Sequence, residues 1–305
     1  RVAGVMPNTW QTLVAMLACT SLGAIWSTSS PEFGVHGIID RFGQIAPKLL
    51  IVCAGYQYAG KDIDQVAKIN QVCEQLPSLE QLIVVPHTRS GTRPDEFHAA
   101  RVSLWDDVYQ PGGEPRFTPL PFDHPLYILY SSGTTGVPKC IVHRAGGVLL
   151  QHLKEHGLHN DLKADDVLFY YTTCGWMMWN WLASGLAVGA TLVLYDGSPF
   201  HPGPERLLDL IDAEGIQAFG TSAKYLAALE QAGLEPAASH RLERLRLLLS
   251  TGSPLSPHSY DYVYRKIKAD LCLASMSGGT DIVSCFVLGN PTLPVRRGEI
   301  QCKGL

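Results

Sequence analysis

The sequence predicts an α/β fold in which mostly parallel strands are covered by helices. Short apolar runs with the length of buried strands alternate with segments of helical periodicity, and they cover residues 2–6, 48–53, 81–85, 126–130, 167–171, 191–195, 216–219, 246–250 and 271–275. Alternation of this kind is typical of crossover units that place strands side by side in one direction. With 305 residues, 46% of them hydrophobic and 17% charged, the chain is long enough for one large domain or two subdomains.

The individual elements have recognisable start and stop signals. Thr9 is placed to cap a first helix that follows the strand at residues 2–6. Pro204 suits the first turn of a later helix, which Gly215 should end. After the strand at 216–219, Ser222 is expected to cap a second helix, because its hydroxyl can accept a hydrogen bond from a free N–H of the first turn.

A segment rich in proline and glycine, residues 111–125, cannot build a core and predicts a boundary between two subdomains, 1–125 and 126–305. The chain begins at Arg1 instead of a methionine and ends at Leu305 without an evident closing element. We therefore expect it to be a fragment of a longer protein.

Composition narrows the classes of partner. The net charge is -4 and the pI about 6.3, and the basic residues are scattered, so no nucleic acid is expected and small molecules are the predicted partners. The eight cysteines are widely spaced without a C-x-x-C pair, which disfavours a zinc ribbon or a disulfide framework. Free thiols predict a cytoplasmic protein. The oligomeric state stays open.

Two stretches without charge, 2–31 and 172–195, raise the question of export or membrane insertion. Pro7 and Asn8 interrupt the first, and Asn180 and Gly185 interrupt the second. We expect neither a signal peptide nor a membrane span, and the second stretch is interpreted as a buried helix followed by the strand at 191–195.

The segment from Tyr130 to Lys139 has the composition of a phosphate-binding loop. Its glycines allow backbone N–H groups to converge on an anion, its hydroxyls add donors, and its lysine adds a positive charge. It is not a Walker A loop, because Val137 and Pro138 separate Gly136 from the lysine. A mobile linker is the plain alternative. The predicted ATP-binding residues here are Ser131, Ser132, Gly133, Thr134, Thr135, Gly136 and Lys139.

This loop resembles the signature of the adenylate-forming enzymes, which include acyl-CoA synthetases, luciferases and adenylation domains. Their usual form is Tyr-Thr-Ser-Gly-Thr-Thr-Gly-x-Pro-Lys-Gly, from which Ser131 and Cys140 depart. A cysteine at 140 is acceptable if that residue already lies in a strand. The resemblance implies the large N-terminal domain of that family, with the C-terminal lid domain and its lysine absent from these 305 residues.

Two more loops follow predicted strands and resemble motifs of the same family. Gly252, Ser253 and Pro254 resemble the loop that holds adenine. Thr280 and Asp281 resemble the motif whose hydroxyl contacts phosphate and whose carboxylate holds Mg²⁺, although the family usually has Glu in place of Asp. Ordinary turns are the alternative for both loops, since Ser256 could cap a helix and Asp281 could be a local cap.

The family resemblance also implies an acyl pocket, with Thr173 where amino-acid-activating members carry aspartate and Gly278 where acetyl-CoA synthetases carry tryptophan. Glycine at 278 is expected to leave room for a longer acyl group. The implied pocket residues are Trp176, Met177, Met178, Gly252 and Gly278. Within the family, the motifs most resemble those of acetoacetyl-CoA synthetases.

The resemblance implies ATP-dependent activation of a short-chain acid, acetoacetate being favoured, to an acyl-adenylate and then to its CoA thioester. ATP, Mg²⁺ and coenzyme A are implied, with Lys139, Thr280 and Asp281 as catalytic residues. Another short or medium acid is one alternative, and a non-catalytic ATP-binding module is a second.

A zinc metalloprotease is a third alternative, because His152, Glu155 and His156 fit the pattern H-x-x-E-H, with the two histidines one helical turn apart. A solvated helix face is the plain interpretation of these three residues.

Overall fold

The computed structural model describes residues 1–131 and 136–305. The chain folds into two compact units. The first unit is Arg1–Gly147 with Thr173–Met177, and the second unit is Val148–Thr172 with Met178–Leu305.

The first unit is built on a mostly parallel sheet. Its strands are β1 (Val2–Val5), β2 (Trp26–Ser29), β3 (Leu49–Cys53), β4 (Gly55–Tyr58), β5 (Lys61–Asp64), β6 (Gln81–Val85), β7 (Val102–Leu104), β8 (Pro125–Ser131) and β9 (Lys139–Arg144). Among the described residues, seven of these form one sheet in the order β7-β6-β3-β1-β2-β8-β9. Neighbours are parallel except β8 and β9, and β4 and β5 form a separate antiparallel pair.

Helices pack on this sheet through amphipathic faces. They are α1 (Trp10–Ser21), α2 (Val35–Ile45), α3 (Val66–Glu74) and the single turns Pro94–Glu96 and α4 (Trp105–Val108). On α2 the buried residues are Ile38, Phe42 and Ile45, a spacing that places them on one helical face. They join Leu50 of β3 and Leu82 of β6 in the core of the unit.

The second unit has a fully parallel sheet and a small antiparallel one. The strands are β10 (Val167–Tyr170), β11 (Thr191–Val193), β12 (Ala218–Ser222), β13 (Leu247–Thr251), β14 (Cys272–Ser275), β15 (Ser277–Gly279), β16 (Ser284–Leu288) and β17 (Cys302–Lys303). In the described part of the chain, the order of the parallel sheet is β11-β10-β12-β13-β14, and that of the other is β15-β16-β17.

The remaining helices are α5 (Ala145–Lys154), continued by a π turn at Glu155–His159, α6 (Met177–Ala183), a 3₁₀ turn at Ser184–Val188, α7 (Arg206–Glu214), α8 (Ala223–Gln231), α9 (Pro236–Ser239) and α10 (Pro257–Tyr262), continued by a π turn at Val263–Ile267. Helix α5 leads from β9 to β10 of the second sheet, and the helices from α6 onward connect successive strands of that parallel sheet. The core lies between the sheet and α7, α8 and α10, with Phe219 and Leu248 facing Leu207, Leu226 and Tyr260.

The predicted α/β class is confirmed, and each apolar run forms a strand. Two of the cap signals hold, since Gly215 ends α7 in the left-handed region at φ 60° and Ser222 Oγ accepts the N–H of Tyr225 at 3.2 Å. Thr9 lies at the N-cap position of α1, but its side chain makes no capping hydrogen bond. The start of α7 differs, because the helix begins at Arg206 and Pro204 lies in the preceding turn.

The division into units differs from the predicted boundary at 125/126. The strand β8 pairs with β2 and β9 pairs with β8, so residues 125–144 complete the sheet of the first unit. The first unit therefore extends to Gly147 before the chain enters the second.

The uncharged stretches are part of this fold. Residues 2–31 contain β1, α1 and β2, while residues 172–195 contain α6, a 3₁₀ turn and β11. Over the described residues, no helix has both the length and the apolarity needed to cross a bilayer.

Candidate functional site

The predicted phosphate loop connects two antiparallel strands of the first unit. Ser131, the last residue of β8, pairs with Lys139, the first residue of β9, so the two ends of the loop lie side by side. Lys139 is exposed. Gly136 has φ 111°, a left-handed conformation that favours glycine. Cys140 already lies in β9, which explains why this position does not need the glycine usual in the family.

Four predicted residues of this loop, Ser132, Gly133, Thr134 and Thr135, lie outside the described residues. Their roles therefore stay predictions that depend on the sequence.

Both described ends of the loop are held by neighbouring elements of the first unit. On the C-terminal side, the Gln44 side chain of α2 donates to the carbonyl of Pro138 at 2.7 Å. On the N-terminal side, the guanidinium carbon of Arg41 lies 5.7 Å from the ring centroid of Tyr130, whose Oη accepts a hydrogen bond from Ser27 at 3.0 Å. Burial raises the pKa of Tyr130, so the phenol is neutral at physiological pH. These contacts fix the backbone on either side of the hydroxyl-rich segment.

In the second unit, the predicted adenine loop follows β13 at the carboxyl edge of the parallel sheet. Gly252 has φ 88°, and a Cβ built on it would meet no described atom within 4 Å. The conformation accounts for glycine at 252, and the free space leaves this side of the backbone open to a ligand. The loop then enters α10, where Ser256 Oγ accepts the N–H of Ser259 at 3.1 Å. The expected helix cap is therefore present.

A hydroxyl ties this loop to the next predicted one. Thr251 Oγ1 donates to the carbonyl of Met276 at 3.0 Å, and the Met276 N–H donates to Ser250 O at 2.8 Å. Because β13 and β14 are neighbouring parallel strands, their following loops leave the sheet at the same edge. The adenine loop and the 277–281 segment are thus held together at their bases.

Thr280 and Asp281 lie in the turn between β15 and β16. Thr280 is half-buried and Asp281 exposed. Among the described residues, no group of three histidine, cysteine, aspartate or glutamate side chains could hold a metal ion. A single exposed carboxylate does fit Mg²⁺, which keeps several waters and takes one or two carboxylates together with substrate phosphates.

Gly278 has a different surrounding from the one expected. A Cβ built on it would lie 2.0 Å from Ser284 O and 2.7 Å from Cys285 Cα. The direction of a side chain is therefore filled by the main chain of the paired strand β16 and does not open into free space. The close approach of two strands at an irregular register is sufficient to explain glycine at 278.

The other predicted pocket residues are divided between the units. Trp176 and Met177 belong to the first unit, whereas Met178 and Gly252 belong to the second. The Trp176 side chain is 59% exposed. It extends from a turn in which the Trp176 N–H donates to Thr173 O at 3.1 Å.

The zinc-site interpretation is wrong for the described residues. His152 Nε2 donates to Val283 O at 2.8 Å, and His156 Nε2 donates to Trp181 O at 3.0 Å. Glu155 Oε2 accepts from Trp181 Nε1 at 2.8 Å, so all three side chains are buried and engaged with protein groups. The solvated-face interpretation is also wrong. Burial, together with the nearby His152, lowers the pKa of His156 to about 3 and keeps its imidazole neutral.

Sequence reasoning missed the hydroxyls that hold these loops. Thr251 and Ser30, which bonds to Thr173 and Gly175, carry long-range hydrogen bonds. A single serine or threonine at a strand end gives no pattern that identifies its partner, so only the fold reveals such residues.

Comparisons with known proteins match all or nearly all of the chain. The model of the family described as AMP-binding enzyme matches residues 1–297. The acetoacetyl-coenzyme A synthetase of Rhizobium meliloti (strain 1021) is 58% identical over 307 residues, covering 100% of this chain and 47% of that protein. The acetoacetyl-CoA synthetase of Danio rerio is 52% identical over 311 residues, with 100% of this chain and 46% of that protein covered.

Among solved structures, the acetoacetyl-CoA synthetase from Streptomyces lividans superposes with a TM-score of 0.94 at 43% identity. The match covers 100% of this chain and 47% of that one. The chain therefore spans about half the length of the relatives it matches.

Proposed function

The chain belongs to the AMP-binding enzyme family, and we propose that it is the ATP- and acid-binding part of an acetoacetyl-CoA synthetase. The observation that carries the proposal is the identity of 58% and 52% with two such enzymes over the whole chain. Both matches cover the whole chain, so the matched region includes the loops named above as well as the strands of the fold.

The proposed reaction has two steps. A carboxylate oxygen of acetoacetate attacks the α-phosphorus of ATP, forming an acyl-adenylate and breaking the bond to pyrophosphate. The thiol sulfur of coenzyme A then attacks the acyl carbon, AMP leaves, and the thiol loses its proton. The chain is thus proposed to act on small molecules only.

The first step brings two anions together, and the proposed role of Lys139 is to offset their repulsion. An exposed ammonium group at the start of a strand, beside the backbone held by Gln44, can form charge-assisted hydrogen bonds to phosphate oxygens. Such a contact stabilises the charge that develops on the leaving pyrophosphate. The hydroxyls of residues 131–135 are proposed to donate to the same phosphate chain.

In the second unit, Thr280 is proposed to donate its hydroxyl to a phosphate and Asp281 to hold Mg²⁺. The metal, when bound, supplies positive charge that stabilises the phosphate oxygens. Gly252, Ser253 and Pro254 are proposed to border the adenine, which the open side of Gly252 supports.

Trp176, Met177 and Met178 are proposed to contact the acid through their apolar surfaces. Gly278 is left out, because the main chain fills its side-chain direction. None of the eight cysteines, all of which the structure describes, forms a disulfide, which supports a reducing compartment and hence a cytoplasmic location.

Trapping of the acyl-adenylate with hydroxylamine tests the proposal. The complete protein is incubated with ATP, Mg²⁺ and hydroxylamine, and with acetoacetate, acetate or butyrate as the acid. We expect acyl-hydroxamate with the highest kcat/KM for acetoacetate. A higher value for another acid would reassign the substrate, and no hydroxamate with any acid would favour a module that binds ATP without catalysis.

Lys139→Ala tests the proposed role of the loop. A charge-assisted hydrogen bond contributes about 1.5 to 3 kcal/mol, so adenylation measured by pyrophosphate exchange should slow by roughly ten- to a hundredfold. Lys224→Ala on α8, an exposed lysine in the other unit, serves as the matched control and should leave the rate unchanged. An unchanged rate in Lys139→Ala would contradict the assignment.

A further inference from the structure

The turn at residues 173–176 is anchored to the first unit, although the residues on either side of Thr173–Met177 belong to the second. The Trp176 N–H closes the turn on Thr173 O at 3.1 Å. A short segment of this kind has no core of its own, so its conformation depends on the groups that hold it.

Ser30 provides the anchor. It directly follows β2 and is 0% exposed. Its hydroxyl donates to Thr173 Oγ1 at 2.6 Å and accepts the N–H of Gly175 at 2.9 Å. The buried Ser30 hydroxyl therefore donates to one residue of the turn and accepts from another.

Steric fit reinforces this anchor. A Cβ at Gly175 would lie 3.0 Å from Ser30 Oγ and 3.1 Å from Phe33 Cζ, closer than most real contacts. Next to it, the buried Cys174 thiol donates to Pro7 O at 3.3 Å. The turn is thus pressed against the residues that follow β1 and β2, and glycine at 175 permits the close approach.

The consequence is a fixed backbone position for a residue with an exposed aromatic side chain. Trp176 immediately follows Gly175, and its side chain is 59% exposed. Because the backbone of Trp176 is already held, a ligand that binds there has to order only the rotamers of the side chain and not the turn as well. An exposed indole on an anchored turn is therefore suited to contact a small apolar or acyl group.

We propose that Ser30 is a positioning residue for the turn 173–176 and that it sets the affinity for the carboxylic acid, not for ATP. This inference rests on the proposed function, in which Trp176 contacts the acid. Ser30 does not contact the acid itself; it acts by holding Thr173 and Gly175, and through them Trp176.

Steady-state kinetics of the complete protein test the inference, with acetoacetate and ATP varied in turn. Losing a neutral hydrogen bond weakens binding by a modest factor, so Ser30→Ala should raise the KM for the acid roughly two- to tenfold. The KM for ATP should stay within about twofold, since the weakened contact is to the acid. Thr173→Val, which removes the partner hydroxyl, should reproduce this split.

Ser29→Ala is the matched control. Ser29 is the neighbouring residue, is also 0% exposed, and its Oγ has no hydrogen-bond partner among the described residues. Its removal should change neither KM. A purely structural role for Ser30 would lower thermal stability without separating the two KM values, and that result would overturn the inference.

Failure of the proposed function is distinguishable from failure of this inference. If the unmodified protein forms no acyl-hydroxamate with any acid, the proposed function fails and the inference with it. If it is active but Ser30→Ala leaves the KM for the acid unchanged, only the inference fails. Should the variants not fold, hydrogen exchange of the unmodified protein decides, because a rapidly exchanging Gly175 amide would contradict the anchor.

Discussion

The carboxylate of Glu155 is buried in the second unit and accepts three hydrogen bonds, so its replacement by glutamine tests the structure. Glu155 is 1% exposed. Its Oε2 accepts from Trp181 Nε1 at 2.8 Å, and its Oε1 accepts from the N–H of Cys285 at 2.8 Å and from the Ser284 hydroxyl. Every one of these partners is a donor.

The expected cost follows from this geometry. Glutamine has the same shape but carries one NH₂ group, which must face a donor at one end or the other. One hydrogen bond to a charged group is lost, worth about 1.5 to 3 kcal/mol, and a buried donor loses its acceptor at a cost of about 1 to 3 kcal/mol. We therefore expect Glu155→Gln to lower the free energy of unfolding by about 2.5 to 6 kcal/mol.

Urea unfolding of the complete protein, followed by circular dichroism, measures this change. Glu243→Gln, at an exposed position of the same unit, is the control and should stay within about 0.5 kcal/mol. A loss below about 0.5 kcal/mol for Glu155→Gln would contradict the hydrogen bonds described for this carboxylate. If His152, Glu155 and His156 bound zinc, a chelator would destabilise the unmodified protein. We expect instead that EDTA leaves its unfolding midpoint unchanged.

Two further predictions concern stability. Gly278→Ala should destabilise the protein by about 1 to 3 kcal/mol, because its Cβ would overlap the backbone of Ser284. Gly279→Ala should cost less, because among the described residues its Cβ would meet only Asp281, at 3.4 Å or more. Equal melting temperatures of the two variants would contradict this packing. The folded pKa of His156, about 3, lies below its unfolded value of 6.5, so the stabilisation is complete above pH 6.5 and is lost as the pH falls toward 3, by about 1.4 kcal/mol per pH unit. Urea unfolding from pH 7 to 4.5 should therefore show a shallower dependence for His156→Gln, and parallel curves would contradict the assignment.

The strands were predictable because fully buried parallel strands are continuous apolar runs, such as Leu247–Thr251 with its three leucines. The strand Trp26–Ser29 was not, since its sequence Trp-Ser-Thr-Ser has neither an apolar run nor a clear alternation. Its burial comes from pairing with β1 and β8, which is a tertiary effect.

The candidate site was predictable where a motif has local chemistry and unpredictable where it depends on a partner strand. Glycine at 136 and 252 is required by a local left-handed backbone, which the loop composition indicates. Glycine at 278 has another cause, a strand that approaches from six residues further along the chain. Likewise, the pattern at residues 152–156 matched a metal motif by spacing alone, while the surrounding carbonyls and donors decide what these side chains do.

Calorimetry of ATP binding shows whether the loop that ends at Lys139 holds the phosphates of ATP. We expect the complete protein to bind ATP in the presence of Mg²⁺, and Lys139→Ala to weaken this binding by roughly ten- to a hundredfold, the equivalent of about 1.5 to 3 kcal/mol. Equal dissociation constants for the two proteins, or no Mg²⁺-dependent binding by folded protein, would contradict this role of the loop.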